Sequence, residues 1–308
     1  MDTMSHALHG SAPLPHLGVI RVEGEDAARF LHGQLTQDFL LLPDGQARLT
    51  ALCSPKGRML ASFIGVKLSS AEILLVCPQD MLAAMVRRLS MYVLRAKVRL
   101  SDATAQWALR GLLGPSVAEV AASSGPAWSA VQQGDARVVF LYPADGTPMA
   151  LWLAPAGVPL PAQPEVTADR WRWAEVRSGV AWVGAAVTEA YVPQMLNYES
   201  IDGVHFKKGC YPGQEVVARS QFRGTLKRRA VLAHAETPLS AGDALFAPED
   251  PDQPAASVVQ AAQAPGGGWD AIVSGQISAF GGAPLALGTP GGPAVQVAPA
   301  PYPLRDDI

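Results

Sequence analysis

The residue types best suited to chemistry are concentrated in one stretch, Phe206-Lys207-Lys208-Gly209-Cys210-Tyr211-Pro212-Gly213-Gln214-Glu215. Gly209 and Gly213 permit backbone conformations closed to other residues, and Pro212 stiffens the link between them. The pattern predicts a tight loop that presents Cys210 and Tyr211, fixed by hydrogen bonds from Gln214 and Glu215. Lys207 and Lys208 lie two and three residues from the thiol, and nearby cations favour thiolate. Spacing alone leaves two readings of Cys210, a reactive thiol tuned by Lys208 or a cysteine packed into a turn. No Cys–His–Asn arrangement can be assigned from spacing. Cys53 and Cys77 fall in strand-like runs and are expected in the core.

Composition narrows the setting. The chain has 308 residues, 49% hydrophobic and 17% charged, so it can bury a sizeable core and is not a disordered segment. With 24 basic against 27 acidic side chains it is not a generally basic nucleic-acid binder. Seven basic residues between 207 and 229 (Lys207, Lys208, Arg219, Arg223, Lys227, Arg228, Arg229) stand against Glu215 alone. Composition favours a solvated face there over an anion site. Three cysteines with no C-x-x-C pair suggest reduced thiols and argue against an iron–sulfur or zinc site of the chain's own. The uncharged stretches Gly146–Pro164 and Ala271–Leu304 carry too many prolines and glycines for membrane helices. Met1–Ser5 begins no secretory signal. A cytoplasmic protein without membrane contact is expected.

Hydrophobic periodicity supplies the elements that must hold the loop. Strands are predicted at His16–Val22, Ala47–Cys53, Met59–Val66, Ile73–Cys77 and Ala96–Leu100. Helices are predicted from Glu25 to Leu35 and over Met81–Tyr92, the second with Met81, Met85, Leu89 and Tyr92 on one face. Ser54-Pro55-Lys56-Gly57 has turn chemistry. Beyond these, Trp107–Leu113, Val138–Tyr142 and Met149–Leu153 read as strands, and Ser116–Ser123 and Thr167–Ser178 as helices. After Arg229 the runs Ala230–His234, Ala256–Gln260 and Ala271–Ile277 alternate with Gly/Pro loops, which predicts an all-β barrel with a hairpin loop at 264–268. The fold class expected is α+β.

Lys208-Gly209-Cys210-Tyr211-x-Gly213-Gln214-Glu215 resembles the signature of the YgfZ-type folate-binding proteins, relatives of the glycine-cleavage T-protein, an aminomethyltransferase. Family members typically carry Thr in place of Pro212. Five further blocks, in order, are similar to the family: Gly24-x-Asp26-x-x-x-Phe30-Leu31-x-Gly33-Gln34-x-Thr36-x-Asp38, Cys53–Arg58, Tyr92–Val98, Tyr191-x-Pro193-Gln194-x-x-Asn197, and Val217-Ala218-Arg219 with Gly224-x-x-Lys227-Arg228.

The resemblance implies a T-protein-like, multi-domain ring around a central opening that binds tetrahydrofolate or a one-carbon derivative. It implies four segments: an α+β folate-binding part over 1–100, a ferredoxin-like α+β part over 101–190, a link carrying the cysteine signature over 191–229, and the barrel over 230–308. It also implies an accessory role in assembling or maintaining iron–sulfur proteins, including tRNA-modifying enzymes. The partners would be iron–sulfur client or assembly proteins, and direct nucleic-acid binding is not expected.

Trp171 matches a folate-lining tryptophan, although its place on a helix face also suits a core residue. Tyr191, Gln194 and Asn197 join it as expected folate contacts. Leu17 stands where a second tryptophan can occur. Arg177-Ser178-Gly179 replaces a Glu-Ala-Gly segment, so Arg177 cannot accept hydrogen bonds from a pterin but can pair with a glutamate tail. Gly57–Ser62 lacks the T-protein's catalytic aspartate, which weakens the alternative of aminomethyl transfer. A second alternative is a non-enzymatic RNA- or protein-binding scaffold.

Overall fold

A computed structural model describes residues 8–223 and 225–305. Met1–Ser5 and Gly224, both used in the sequence reading, lie outside them. In chain order the elements of the first half are β1 (Gly10–Pro13), β2 (Leu17–Glu23), α1 (Ala27–Gln34), β3 (Ala47–Cys53), β4 (Met59–Ser69), β5 (Glu72–Pro78), α2 (Gln79–Ser90) and β6 (Arg99–Asp102). There follow β7 (Trp107–Leu113), α3 (Pro115–Ala121), β8 (Ala130–Gln133), β9 (Ala136–Ala144), β10 (Thr147–Pro155) and α4 (Ala168–Arg177). A link with short 3-10 turns leads to α5 (Gln214–Phe222). The chain closes with β11 (Arg228–Ala235), β12 (Ala244–Phe246), β13 (Ala256–Gln263), β14 (Trp269–Gln276), β15 (Leu285–Leu287) and β16 (Ala294–Ala298).

The first sheet has the order β3-β4-β5-β2-β6. Strands β3, β4 and β5 are apolar runs buried on both faces for most of their length, whereas the edge strand β6 is exposed or half-buried throughout. Ile73, Leu75 and Cys77 of β5 point to α1 and α2, while Leu74 and Val76 point to a second core. The second sheet, β1-β7-β10-β9-β8, has the same logic. Leu112, Val138 and Trp152 meet Val117 and Val120 of α3, and Leu113, Val139 and Leu151 enter the shared core. Strand β1 precedes the first sheet in sequence yet pairs antiparallel with β7. The expected C-terminal barrel is closed, in the order β11-β14-β13-β12-β15-β16, with Ala264–Gly268 as the predicted hairpin loop. Leu232, Val259 and Ile272 on its outer side join the shared core. Three layers of structure thus converge on one centre.

Three expectations need correction. Tyr92 lies beyond the end of α2 and is exposed, because the chain turns away at Met91. The strand expected over Ala96–Leu100 pairs instead over Arg99–Asp102, where β2 offers a free edge. Gln214 and Glu215, expected in the loop, instead begin a helix that runs to Phe222.

At the shared centre Gly111 lies flat against the indole of Trp171. A Cβ there would fall 2.3 Å from Trp171 Cε3. Gly111→Ala should therefore cost about 1–3 kcal/mol of stability through overpacking, measured by urea unfolding. An unchanged midpoint would show that the ring is free to shift.

Candidate functional site

Helix α1 is eight residues long, and its last carbonyls need donors. Lys208 supplies them: its Nζ donates to Leu35 O at 2.9 Å and to His32 O, and lies 4.7 Å from the centre of the Tyr211 ring. A cation is favoured at this end of a helix. Burial nevertheless pushes the Lys208 ammonium down to about 8, against the smaller opposing pull of Asp38 and Cys210. Lys208 is thus an anchor between the cysteine loop and α1.

The loop is docked a second time by glycines. Gly213 has φ +80°, and a Cβ there would meet Ser54 O at 2.3 Å. Gly57, at φ +72°, would in turn press a Cβ to 2.8 Å from that of Val216. The turn after β3 and the start of α5 therefore interlock, and two blocks distant in sequence become one surface. Gly209 does not use a left-handed conformation, contrary to expectation. Its missing side chain instead makes room for His32, whose Nε2 would lie 3.0 Å from a Cβ. Cys210 is exposed, whereas Cys53 and Cys77 are buried and burial pushes both thiols up to about 12.

The remaining signature residues divide. Gln214 Nε2 reaches Lys208 O at 3.4 Å and helps close the loop. Glu215 does not, because its carboxylate pairs with Arg219 one turn along the exposed face of α5. Tyr211 is buried beneath the loop rather than presented, and burial raises its phenol. The basic run is no single face either. Arg229 is buried with Glu199, and Arg228 donates to Ala255 O at 3.0 Å.

The expected folate contacts are mostly committed elsewhere. Gln194 Nε2 donates to Val217 O at 2.8 Å, tying the link to α5. Asn197 Nδ2 donates to Ala230 O at 2.8 Å and its Oδ1 accepts from Ala230 N, holding β11. Tyr191 OH lies 2.7 Å from Ser257 Oγ on the barrel. Arg177 makes a bidentate pair with Asp145 at 2.7 and 2.8 Å. Trp171 is 1% exposed, in the shared core.

A buried carboxylate lies outside these motif positions, beside a cavity that none of them lines. Glu175, on the same helix as Trp171, is 5% exposed and accepts from Trp182 Nε1 at 3.0 Å, with its second oxygen 3.0 Å from His16 Nε2. It forms part of the wall of a cavity of about 730 Å³, together with Leu17, Asp80, Arg172, Gln260 and Trp269. Ligand pockets commonly span about 300–1,000 Å³. His16 Nδ1 is buried there without a partner. The sequence signal for Glu175 is only its helical spacing from Trp171, one turn away. Among the described residues no group of three or more His, Cys, Asp or Glu could hold a metal ion, and no helix is long and apolar enough to cross a membrane.

Residues 10–135 match the GCVT N-terminal domain family. An uncharacterized protein of Haemophilus influenzae is 30% identical over 220 residues, 71% of each chain. The tRNA-modifying protein YgfZ of Colwellia psychrerythraea is 31% identical over 224 residues, 70% of this chain and 68% of that one. The crystal structure of aminomethyltransferase T of the glycine cleavage system from Bartonella henselae superimposes with a TM-score of 0.69 at 19% identity, covering 96% of this chain and 87% of that one. The fold is accordingly that of the T-protein.

Two outcomes follow from the loop. The native protein should take up one equivalent of iodoacetamide, at Cys210, and three after unfolding; rapid native labelling of Cys53 or Cys77 would contradict their burial. Between about pH 8 and 10.5 Lys208 is protonated in the unfolded chain and largely neutral in the folded one. Wild-type stability should then rise with pH through this window relative to Lys208→Met. A pH-independent difference in urea midpoints would show that the ammonium is not buried.

Proposed function

Because this chain belongs to the YgfZ family, we propose that it is a folate-binding factor in tRNA modification, acting as an accessory to iron–sulfur proteins. In this reading tetrahydrofolate or a one-carbon derivative occupies the cavity beside Glu175, and Cys210 is the working thiol. The clients are iron–sulfur proteins or their assembly factors, met in the cytoplasm. The segments 1–100, 101–190, 191–229 and 230–308 are taken as its functional parts.

The observation that carries the folate reading is the buried carboxylate of Glu175 in the cavity wall. A pterin presents a row of N–H donors, and an ionised carboxylate has about four lone-pair sites, of which His16 and Trp182 engage two. The unpartnered His16 Nδ1 supplies a further polar group, and Trp182 and Trp269 add aromatic surface to the lining. These residues fit the group. Arg172, partly exposed in the same lining, takes the role expected of Arg177 toward a glutamate tail. Bound folate supplies one-carbon chemistry; the chain's own residues orient the ring, exclude water and hold the tail. Asp80 also lines the cavity, held by Ala185 N at 3.0 Å, although the turn at Gly57–Ser62 offers no acid.

Titration of the reduced protein with tetrahydrofolate, followed by calorimetry, tests this. Wild type should bind, and Glu175→Gln should bind about ten- to a hundredfold more weakly, as for loss of a charged hydrogen bond. Failure of the wild type to bind would overturn the folate reading. Cys210→Ser should bind folate normally yet fail to support iron–sulfur enzymes in a complementation assay. Full complementation would remove the thiol from the function.

A further inference from the structure

Composition favours a solvated face for the basic run, and the structure draws part of it into a cavity. Arg219 and Arg223 at the end of α5, with Thr225, Lys227 and Arg228 leading into β11, line a space of about 390 Å³ whose wall contains no carboxylate. Arg219 is paired with Glu215 at 2.6 Å. Among the described residues no ion pair engages Arg223, Lys227 or Arg228. Three like charges therefore share one site and repel. The C-terminal end of α5 offers them only about half a negative charge. Arg228 is the fixed member: it is half-buried, and its Nη2 donates to Ala255 O at 3.0 Å. Its Nε is buried without a partner. An unpaired buried guanidinium N–H is costly, and an anionic oxygen is the partner it takes most strongly. The donors are cations and the Thr225 hydroxyl, a set that suits phosphate oxygens. Their charge exceeds that of one phosphodiester, so successive phosphates of a strand fit better than a single one.

A second, independent feature stands at the same place. Phe222 is 65% exposed, next in the chain to Arg223 and three residues from Arg219. Residues three apart on a helix are neighbours, so the ring stands beside the Arg219 guanidinium. Phe206 meets it edge-on, with centroids 5.4 Å apart at 73°. Cations for the backbone and an aromatic face for an unstacked base are the two elements with which proteins bind single-stranded nucleic acid. We propose that this surface binds a single-stranded segment of RNA, with backbone phosphates at Arg223, Lys227 and Arg228 and one base on Phe222. The choice of RNA rests on the reading of the chain as a factor in tRNA modification; the site uses neither the folate cavity nor Cys210. The net charge of −3 does not oppose it. Charges more than about 8 Å away are largely screened in physiological salt, so the local cations decide.

The test is fluorescence anisotropy of a short, unstructured, fluorescein-labelled RNA with the full-length protein over a range of salt. Three phosphate contacts on a single strand predict a slope of about −2 in log K against log salt. Arg223→Gln and Lys227→Gln, both at exposed positions, should each weaken binding and flatten the slope by about 0.7. Phe222→Ala should weaken binding about fivefold or more at an unchanged slope, and should have no effect on an abasic strand of the same charge. Tetrahydrofolate affinity should be unchanged in all three variants. Absence of binding by the wild type, or wild-type affinity in both Arg223→Gln and Lys227→Gln, would overturn the proposal. Equally tight binding of an oligoglutamate of the same charge would make this an acidic-protein surface, and equally tight binding of inorganic phosphate a small-anion site; either overturns the RNA assignment. The folate reading is decided separately by its own titration, because the two cavities have no lining residue in common.

Discussion

A carboxylate withdrawn from water must be satisfied where it lies, and Glu175 makes that demand at the centre of the molecule. Its partners are His16, 159 residues away at the start of β2, and Trp182 on the link beyond α4. Leaving a buried hydrogen-bonding group without its partner typically costs about 1–3 kcal/mol. The carboxylate therefore fixes how the first sheet, α4 and the link meet, and the barrel closes the remaining side through Val259 and Ile272. The cavity between them is a consequence of this arrangement.

The same rule operates a second time at the cysteine loop. There the charge is the Lys208 ammonium, and its partners are the open carbonyls of α1. The bond joins a residue beyond position 200 to the N-terminal unit, and the Gly57–Gly213 approach locks the joint. The outcome is an exposed thiol on a rigid base, in contrast to the two buried cysteines of the first sheet. The cavity lining and the cysteine loop have no residue in common.

Much of this was legible in the sequence because it is local. Trp107–Leu113 was read with its observed bounds, and the barrel announced itself through short apolar runs between Gly/Pro loops. What depends on distant partners was not legible. β1, β8, β12, β15 and β16 have only three to five residues each and exist through the edges they pair with. Helix α5 has little apolar periodicity and starts at a glycine docked on another turn. Trp171, Gln194 and Asn197 stand out by motif, and in the structure Trp171 packs in the core while Gln194 and Asn197 bond to the backbone of Val217 and Ala230. Motif matching also read the loss of an acid at Arg177, while the fold supplies Glu175 two residues earlier. Charge placement is a three-dimensional property, and the side chain that satisfies it need not keep its alignment column.

The most direct test of this account is a crystal structure of the protein soaked with 5-formyltetrahydrofolate. It predicts density for the pterin in the cavity lined by Trp182 and Trp269, with its N–H edge within hydrogen-bond distance of the Glu175 carboxylate. Ordered ligand elsewhere, with the Glu175 cavity holding only water, would contradict the proposal that this buried carboxylate organises a folate site.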